Sequence, residues 1–344
     1  MIDPATAIDL NGHRSGLVAG IDIGGTKIAV LIVDADGAVL GRATHVSSVG
    51  DQDGAVPAIA AALDEALANA SLTRDDLIAV GVGVPGRVDP ERGHVTLAVN
   101  LGWTDLALKD GLEAAIGRPV VIENDVRAAA IGLHQRGTAA GTKHAATGDL
   151  AYLAVGTGIA AGVILDGRLH RGARGLAGEI GHAIVDPDGP RCACGQHGCL
   201  EALVSGPSIA RRANATSPQE VYAAAVAGDP NATDLVDDVG RRLAWAIHTL
   251  VMTYDVERVV VGGGVSHAGE PFERPLRREL ARLRAASDQA AELLPADIVD
   301  VLPPEAEAGA WGAVAVARNA VAATANAAAA DANPNQGSEV VSHA

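Results

Sequence analysis

Short apolar runs that end at glycine-rich or Asp-Gly turns dominate the start of the chain. Leu17–Ile23 is followed by the glycine-rich residues 24–27, and a second apolar run, 28–33, leads into the Asp-Gly turn 34–37. A third run occupies 38–41. Apolar runs of this length between turn residues are typical of buried strands. The pattern therefore predicts a β-meander whose first two strands meet at a glycine-rich turn.

Helical spacing alternates with further strands through the rest of the chain. Residues 54–69 carry Ala, Ile and Leu at helical spacing, and 77–84 has the pattern of a buried strand. The same analysis predicts helices at 105–116, 125–135, 206–254 (with a break at 228–230), 270–286 and 305–321, and strands at 119–122, 150–155, 159–165, 258–261 and 296–302. Strands that alternate with helices indicate an α/β protein. The polar start, 1–16, and the Ala-, Asn-, Gly- and Ser-rich end, 322–344, are predicted to be disordered tails.

A strand, a Gly-Thr turn, a second strand and an Asp-Gly turn occur twice, about 130 residues apart. Such a repeat predicts two domains of related topology that face each other across a cleft. We place the N-terminal domain at 17–133, completed by the helix 305–321, and the C-terminal domain at 134–304. A chance similarity of two apolar hairpins is the alternative.

The composition fits two globular domains, and the charge restricts the kinds of molecule that the protein can bind. Hydrophobic residues make up 48% of the 344 residues, and the 41 glycines exceed the usual share of about 7%, which indicates many tight turns. The net charge of −16 disfavours nucleic acids and anionic membrane surfaces as partners. No apolar stretch is long enough to span a bilayer, and the N-terminus does not have the pattern of a secretory signal, so we expect a cytoplasmic protein.

Three glycine clusters, each at the end of a predicted strand, are candidates for binding a nucleotide. In the first, Gly24 and Gly25 could form a backbone nest for phosphate, to which Thr26 adds a hydroxyl group and Lys27 a cation. Asp22, just before them, could hold Mg²⁺ directly or through water. The other two clusters are Gly156, Thr157 and Gly158, and Gly262, Gly263 and Gly264. Ordinary β-turns are the alternative for each cluster, but together the three favour a nucleotide lying across the cleft.

The sequence Glu123-Asn124-Asp125 follows a predicted strand and begins a predicted helix. A carboxylate at this place could be a general base, because a sugar hydroxyl needs a proton acceptor during phosphoryl transfer. An Asp that only caps the helix N-terminus is the alternative.

Three cysteines within eight residues, Cys192, Cys194 and Cys199, indicate a metal site rather than a disulfide framework. With one imidazole they form the Cys₃His set of a closed, structural zinc site, and either His182 or His197 could supply that imidazole. Glu201 follows the cluster directly and would be placed by the zinc loop, 182–201, unless it is an ordinary surface residue.

These motifs together resemble the ROK family (repressors, open reading frames, kinases), whose kinases phosphorylate glucose or related hexoses with ATP. The resemblance extends from about residue 17 to residue 321 and rests on 22–27, 123–125, 178–182 and 192–201. It implies the actin-like ATPase fold, with two similar ribonuclease H-like domains closing on sugar and nucleotide. It also implies a homodimer or homotetramer.

The resemblance gives each candidate residue a role. Asp125 would be the catalytic base for the sugar 6-hydroxyl group. The other sugar hydroxyls would be bound by Asn100, Asn124, Glu179, His182 and Glu201. His182 would also be the fourth zinc ligand, with Cys192, Cys194 and Cys199. Residues 24–27 and 156–158 would hold phosphates, and 262–264 would lie near adenosine.

The identity of the hexose depends on the segment that contains Gly86 and Arg87. In relatives this segment meets the 2-substituent of the sugar, and an Arg there is similar both to N-acetylmannosamine kinases and to some bacterial glucokinases. Arg87 could instead pair on the surface with Asp89 or Glu91. Glucokinase is our leading expectation, and a kinase of N-acetylmannosamine or N-acetylglucosamine is the alternative.

Two hypotheses from other functional classes are weaker. A sugar-responsive repressor of the family would need an N-terminal DNA-binding domain, whereas 21 residues precede Asp22 here, and the charge opposes DNA binding. A sugar-binding protein without turnover is opposed by the intact Asp125 and glycine turns.

Overall fold

The computed structural model describes residues 16–47, 49–140, 142 and 148–332. These belong to two compact units, one within Met1–Asp125 and Ala313–Ala344 and the other within Val126–Gly312. The predicted tail residues 1–15 and 333–344 lie outside the described residues. Among the helices that are described, none combines the length and apolarity that crossing a membrane requires.

The first unit is built on a five-stranded mixed sheet. Its strands are β1 (Leu17–Ile23), β2 (Lys27–Val33), β3 (Val39–Val46), β4 (Leu77–Val84) and β8 (Val120–Asn124), in the order β3-β2-β1-β4-β8. Strand β1 runs antiparallel to β2 and parallel to β4, which is parallel to β8. Every residue of β4 is buried, which explains its continuous apolar sequence.

Two helices and a small second sheet complete this unit. Helix α1 (Ala55–Asn69) and helix α2 (Leu108–Ile116) bury their apolar residues against the main sheet, in one hydrophobic core. A three-stranded antiparallel sheet contains β5 (Arg87–Asp89), β6 (His94–Ala98) and β7 (Trp103–Leu106). The prediction of a helix from 105 was wrong for its first residues, because Leu106 pairs with Val95 in this sheet.

The second unit repeats the sheet order of the first. Its strands are β9 (Leu150–Val155), β10 (Ile159–Leu165), β11 (Arg168–Leu169), β12 (Arg258–Gly262) and β13 (Val299–Val301), in the order β11-β10-β9-β12-β13. In both units an antiparallel hairpin is followed by a strand parallel to its first strand. The predicted repeat is therefore confirmed as a repeat of sheet topology.

Helices cover both faces of the second sheet. They are α3 (Asp125–Arg136), α4 (Leu200–Val204), α5 (Gly206–Ala213), α6 (Pro218–Val226), α7 (Pro230–Tyr254), α8 (Glu270–Ala286), α9 (Asp288–Leu293) and the start of α10 (Ala308–Ala332). Tyr222, Leu243 and Phe272 lie in the larger core, on the face opposite Tyr152 and Val260.

The observed boundaries differ from the predicted ones at α3 and α10. The units divide after Asp125 rather than after 133, because α3 packs on β10: a Cβ at Gly162 would lie 2.7 Å from the carbonyl oxygen of Val126. Residues 322–332 continue α10, so the predicted tail is wrong over this stretch. Alanine has the highest helix propensity, which explains why a segment of low complexity extends the helix.

Candidate functional site

The first glycine turn joins β1 to β2 and is closed by backbone hydrogen bonds. The amide of Gly24 donates to the carbonyl oxygen of Lys27 at 2.8 Å, and the side chains of Thr26 and Lys27 are exposed. Ser47 holds the turn from the other side, since its Oγ donates to the Gly24 carbonyl oxygen at 2.5 Å and its amide to that of Thr26 at 3.2 Å. No sequence motif had pointed to Ser47, which contacts the turn only through the fold.

Asp22 lies at the end of β1, two residues before this turn. Burial raises the pKa of its carboxyl group from 3.8 to about 6, and the opposing attraction of Lys27 is weaker. A carboxylate that is destabilised by burial gains more than an exposed one from a bound cation. This environment fits the predicted Mg²⁺-binding role of Asp22.

Asn100 is brought next to the first glycine turn. It lies in the turn that connects β6 to β7, and its Cβ is 4.0 Å from the Cβ that Gly25 would carry. The Asn100 side chain is exposed. This places a candidate sugar ligand beside a candidate phosphate-binding turn.

Asp125 is the first residue of α3 and directly follows the end of β8. Asn124 holds it in place, because the Asn124 Nδ2 donates to Asp125 Oδ1 at 3.0 Å and to the carbonyl oxygen of Gly86 at 3.1 Å. The buried Glu123 accepts a hydrogen bond from the Asn124 amide at 2.9 Å. Glu123 and Asn124 therefore orient the carboxylate, which the sheet presents at the carboxyl end of a parallel strand.

Arg87 is the first residue of β5, and Gly86 directly precedes it. Gly86 has a φ of +93°, and a Cβ there would lie 2.3 Å from the carbonyl oxygen of Leu97, so only glycine fits. The Arg87 side chain is exposed, and the described residues give it no ion pair with Asp89 or Glu91. The surface-pairing alternative for Arg87 thus finds no support in the described residues.

In the second unit, the other two glycine clusters lie beside each other. The amide of Gly156 donates to the Gly158 carbonyl oxygen at 3.0 Å, and a Cβ on Gly156 would lie 3.8 Å from the nitrogen of Gly264. Gly263 has a φ of +99° and packs against Val155. The Gln219 Nε2 donates to the Gly264 carbonyl oxygen at 3.1 Å, a contact that the sequence did not predict. These turns form one backbone-lined surface with both amide donors and carbonyl acceptors.

Glu201 is anchored at this surface. It lies in the first turn of α4, and its Oε2 accepts a hydrogen bond from the amide of Ile159 at 2.9 Å. A Cβ at Gly158 would lie 2.9 Å from the same oxygen, so a larger residue there would displace the Glu201 carboxylate. Glu201 is therefore fixed on β10, contrary to the alternative of a freely solvated surface residue.

The segment 178–182 lies directly on β10 because glycines remove the side chains that would collide with it. A Cβ at Gly178 would lie 1.8 Å from the carbonyl oxygen of Ala161, and one at Gly181 would lie 2.0 Å from that of Ile159. Glu179 is exposed and His182 is partly exposed, and His182 Nε2 lies 4.0 Å from Glu179 Oε2. The segment thus presents a carboxylate and an imidazole side by side.

The cysteine cluster has the geometry of a tetrahedral metal site. The ligand atoms of His182, Cys192, Cys194 and Cys199 all lie within 4.8 Å of one another. Cys194 Sγ is 3.6 Å from Cys199 Sγ, and Cys192 Sγ is 3.8 Å from His182 Nδ1. Zinc–sulfur bonds of about 2.3 Å at tetrahedral angles place two sulfur atoms about 3.8 Å apart. The four residues therefore fit a closed zinc site.

His197, the other candidate imidazole, does not join this cluster. Its Nδ1 lies 3.3 Å from the carbonyl oxygen of Gly189, and its backbone pairs with Arg191.

The hydrogen bonds from Gln196 to Cys194 lower the pKa of that thiol to about 6, whereas burial raises the pKa of Cys199 to about 12. Cys194 is thus ready to bind a cation as a thiolate, and the buried Cys199 would lose its proton on metal binding.

Comparison with known proteins identifies the family. The ROK family model matches residues 18–320. This chain belongs to the ROK family. It is 33% identical to a glucokinase of Halalkalibacterium halodurans over 280 residues, which is 75% of this chain and 83% of that protein.

Solved structures identify the fold. The crystal structure of a ROK family glucokinase from Streptomyces griseus in complex with glucose and AMPPNP is 35% identical. It matches with a TM-score of 0.74 and covers 88% of this chain and 100% of that one. The chain therefore has the actin-like ATPase fold, as the resemblance to the ROK family had implied.

Relatives with other names show that the family is diverse. An N-acetylmannosamine kinase of Yersinia pestis is 33% identical over 259 residues, or 74% of this chain and 85% of that protein. A xylose repressor of Caldicellulosiruptor bescii is 28% identical over 281 residues, or 76% of this chain and 69% of the repressor. Family membership alone therefore does not identify the sugar.

Proposed function

We propose that this chain is an ATP-dependent glucokinase. The chain is a ROK sugar kinase, and its similarity to glucokinases supports glucose as the substrate. The observation that carries the mechanism is the Asp125 carboxylate at the carboxyl end of β8, held by the amide group of Asn124 at 3.0 Å. A carboxylate that is oriented by a neighbouring side chain suits a general base better than a mobile one.

In the proposed reaction, Asp125 accepts the proton of the sugar 6-hydroxyl group. The oxygen then forms a bond to the γ-phosphorus of ATP, and the bond from that phosphorus to the bridging oxygen of ADP breaks. Such transfer depends on positioning and on neutralising phosphate charge more than on covalent chemistry. Mg²⁺, held through Asp22, would supply part of that neutralisation.

The remaining sugar hydroxyls would be bound by polar side chains that the fold holds at defined places. In the first unit, Asn100 lies beside Gly25, and Asn124 is hydrogen-bonded to Asp125. In the second unit, Glu179 and His182 are neighbours, and Glu201 is fixed to the amide of Ile159. Carboxylates and amides are suitable partners for hydroxyl groups because they accept or donate two hydrogen bonds in one plane.

The nucleotide would be bound by the glycine turns. The exposed Lys27 and Thr26 would contact the terminal phosphates together with residues 156–158, and the turn 262–264 would lie against adenosine. The close approach of Gly156 to Gly264 supports this division, because one nucleotide can touch both turns.

Zinc would be held by His182, Cys192, Cys194 and Cys199. With all four positions filled by protein, it would stabilise the loop and leave no site for an activated water. Its consequence for function would be to fix His182 and, through Cys199, the start of the helix that carries Glu201.

The demand for ATP and for reduced cysteines supports a cytoplasmic location, and a homodimer or homotetramer stays a prediction.

The alternative substrate is an N-acetylhexosamine. The exposed Arg87, without an ion pair to Asp89 or Glu91 in the described structure, supports it because the guanidinium group is available to a 2-substituent. The Yersinia pestis relative is named an N-acetylmannosamine kinase. If N-acetylmannosamine is the substrate, Arg87→Ala should weaken its use while leaving that of glucose unchanged.

A coupled assay with Mg²⁺-ATP tests the proposal. Glucose, mannose, fructose, N-acetylglucosamine and N-acetylmannosamine would be compared by kcat/KM, and we expect the highest value for glucose. A preference for an N-acetyl sugar would replace glucose by the alternative, and no turnover of any sugar would refute the kinase proposal.

A further inference from the structure

Asp238, in the middle of α7, is a buried carboxylate at the centre of three arginines. It accepts hydrogen bonds from Arg212 and Arg241 at 2.6 Å and from Arg242 at 2.9 and 3.0 Å. Its side chain is only 11% exposed. The arginines lower the pKa of Asp238 to about 2 against the effect of burial, so it is ionised at any physiological pH.

Arg242 connects this carboxylate to the loop that contains the cysteines. Its Nη2 lies 3.3 Å from Asp186 Oδ2, while its Nε donates to Asp238. Asp186 organises the loop through its backbone: its amide donates to the Gly198 carbonyl oxygen at 3.2 Å, and its carbonyl oxygen accepts from Gly189 at 2.8 Å. Gly198, which directly precedes the ligand Cys199, is so close that a Cβ would lie 1.5 Å from that carbonyl oxygen. Asp186 thus fixes the backbone at one of the metal ligands.

Arg212 connects the same carboxylate to the helix that carries Glu201. Its Nη1 donates to the carbonyl oxygen of Leu203 at 2.9 Å, near the end of α4. Helix α4 has five residues, begins directly after Cys199 and contains Glu201 in its first turn. A helix this short gains little stability from its own hydrogen bonds and depends on what holds its ends.

We propose that Asp238 is a positioning residue for the metal loop and for Glu201. Through Arg242 it holds the loop on one side of Cys199, and through Arg212 it holds α4 on the other. The part that concerns the sugar rests on the proposed function, whereas the part that concerns the metal loop does not. Residues that orient metal ligands from outside the coordination shell typically change metal affinity or activity about 10- to 100-fold when mutated.

Asp238→Asn is the primary test because it keeps the shape of the side chain and removes its charge. The protein would be prepared with zinc, and zinc release to a chromogenic chelator would be timed at 25 °C. We expect release about 10-fold faster or more than in the wild type, together with a rise of similar size in KM for glucose and a change of less than twofold in KM for ATP. Asp238→Glu should restore part of both effects.

Glu279→Gln is the matched control. Glu279 is a buried carboxylate on α8 that accepts hydrogen bonds from Arg282 at 2.7 and 2.8 Å, as Asp238 does from its arginines, but it has no contact with the metal loop in the described structure. It should lower thermal stability without changing zinc release. If Asp238→Asn also lowers only the melting temperature, and zinc release and glucose KM stay within twofold, the positioning role is refuted.

Arg242→Gln covers the case in which Asp238→Asn does not fold. It leaves Asp238 paired with Arg212 and Arg241, and it removes the link to Asp186 together with the hydrogen bonds from Arg242 to Asp238. Faster zinc release in this variant supports the proposal, and unchanged release refutes it. Failure of the wild type to phosphorylate any hexose would refute the proposed function, while zinc release would still decide the role of Asp238 in the loop.

Discussion

Asp22 offers a quantitative test, because its environment opposes the charged form that its proposed role requires. The folded protein raises the pKa of this carboxyl group from 3.8 to about 6. The folded state therefore binds the proton more tightly than the unfolded state, and the contribution of Asp22 to the free energy of unfolding falls as pH rises from about 4 to about 6. A difference of about two pKa units corresponds to about 3 kcal/mol at neutral pH.

Asp22→Asn should remove this pH-dependent loss of stability. At pH 3.5, which is below the pKa of Asp22 in both states, the variant and the wild type should differ mainly by a fixed amount from the change of side chain. We define the stability difference as the free energy of unfolding of the variant minus that of the wild type. This difference should be larger at pH 7.5 than at pH 3.5 by up to about 3 kcal/mol, in favour of the variant. The same variant should lose nearly all kinase activity, because it removes the carboxylate proposed to hold Mg²⁺.

Urea unfolding, followed by circular dichroism without nucleotide or Mg²⁺, measures this difference. Asp36→Asn is the control, since Asp36 is an exposed carboxylate on the turn between β2 and β3. The reasoning is refuted if the stability difference between Asp22→Asn and the wild type is the same at both pH values. It is also refuted if the control shows the same pH dependence as Asp22→Asn.

Three further outcomes are expected. Asp125→Asn should lower kcat about 10²- to 10⁴-fold and leave glucose binding by calorimetry nearly unchanged, whereas Asp110→Asn, in the first turn of α2, should be neutral in both assays. Gly81→Ala should unfold at a clearly lower temperature, by an effect of about 2 kcal/mol or more, because its Cβ would lie 2.0 Å from the carbonyl oxygen of Ala313; an unchanged melting temperature would contradict this packing. Cys192→Ser should bind less than one zinc per chain by metal analysis and show a raised glucose KM, and full zinc content would contradict the ligand set.

Most strands and helices could be predicted from local sequence patterns, because each of these elements is formed by residues that are close together in the sequence. Apolar runs between turn residues predicted β1, β4, β9 and β10 with their observed bounds, and helical spacing predicted α8. The small sheet that contains β5 to β7 was missed because its strands have three to five residues and little alternation. The extension of α10 was missed because an alanine-rich segment has low complexity in sequence but high helix propensity.

The candidate site was predictable where one motif contains all its parts and not where the parts come from distant segments. The three cysteines lie within eight residues, but their spacing left both His182 and His197 open as the fourth ligand. The resemblance indicated His182, and in the structure His197 pairs with Arg191 and lies against Gly189. Ser47 contacts the first glycine turn from 23 residues away. Arg242 reaches Asp186 across 56 residues, so neither charge had a visible partner in the sequence.

The difference between motif residues, which were predictable, and the residues that orient them, which were not, also bears on the proposed function. A motif records which atoms touch the ligand, whereas the residues that orient those atoms can come from any element that the fold brings near. Glu201 shows both cases: its position after Cys199 was visible in the sequence, but the amide of Ile159 and the support of α4 by Arg212 were not. The precision with which a carboxylate meets a sugar hydroxyl depends on such supports, since a displacement of about 1 Å can cost about 10²-fold in rate. In this chain, substitutions at 212, 238 and 242 should therefore change the use of the sugar while every motif residue stays the same.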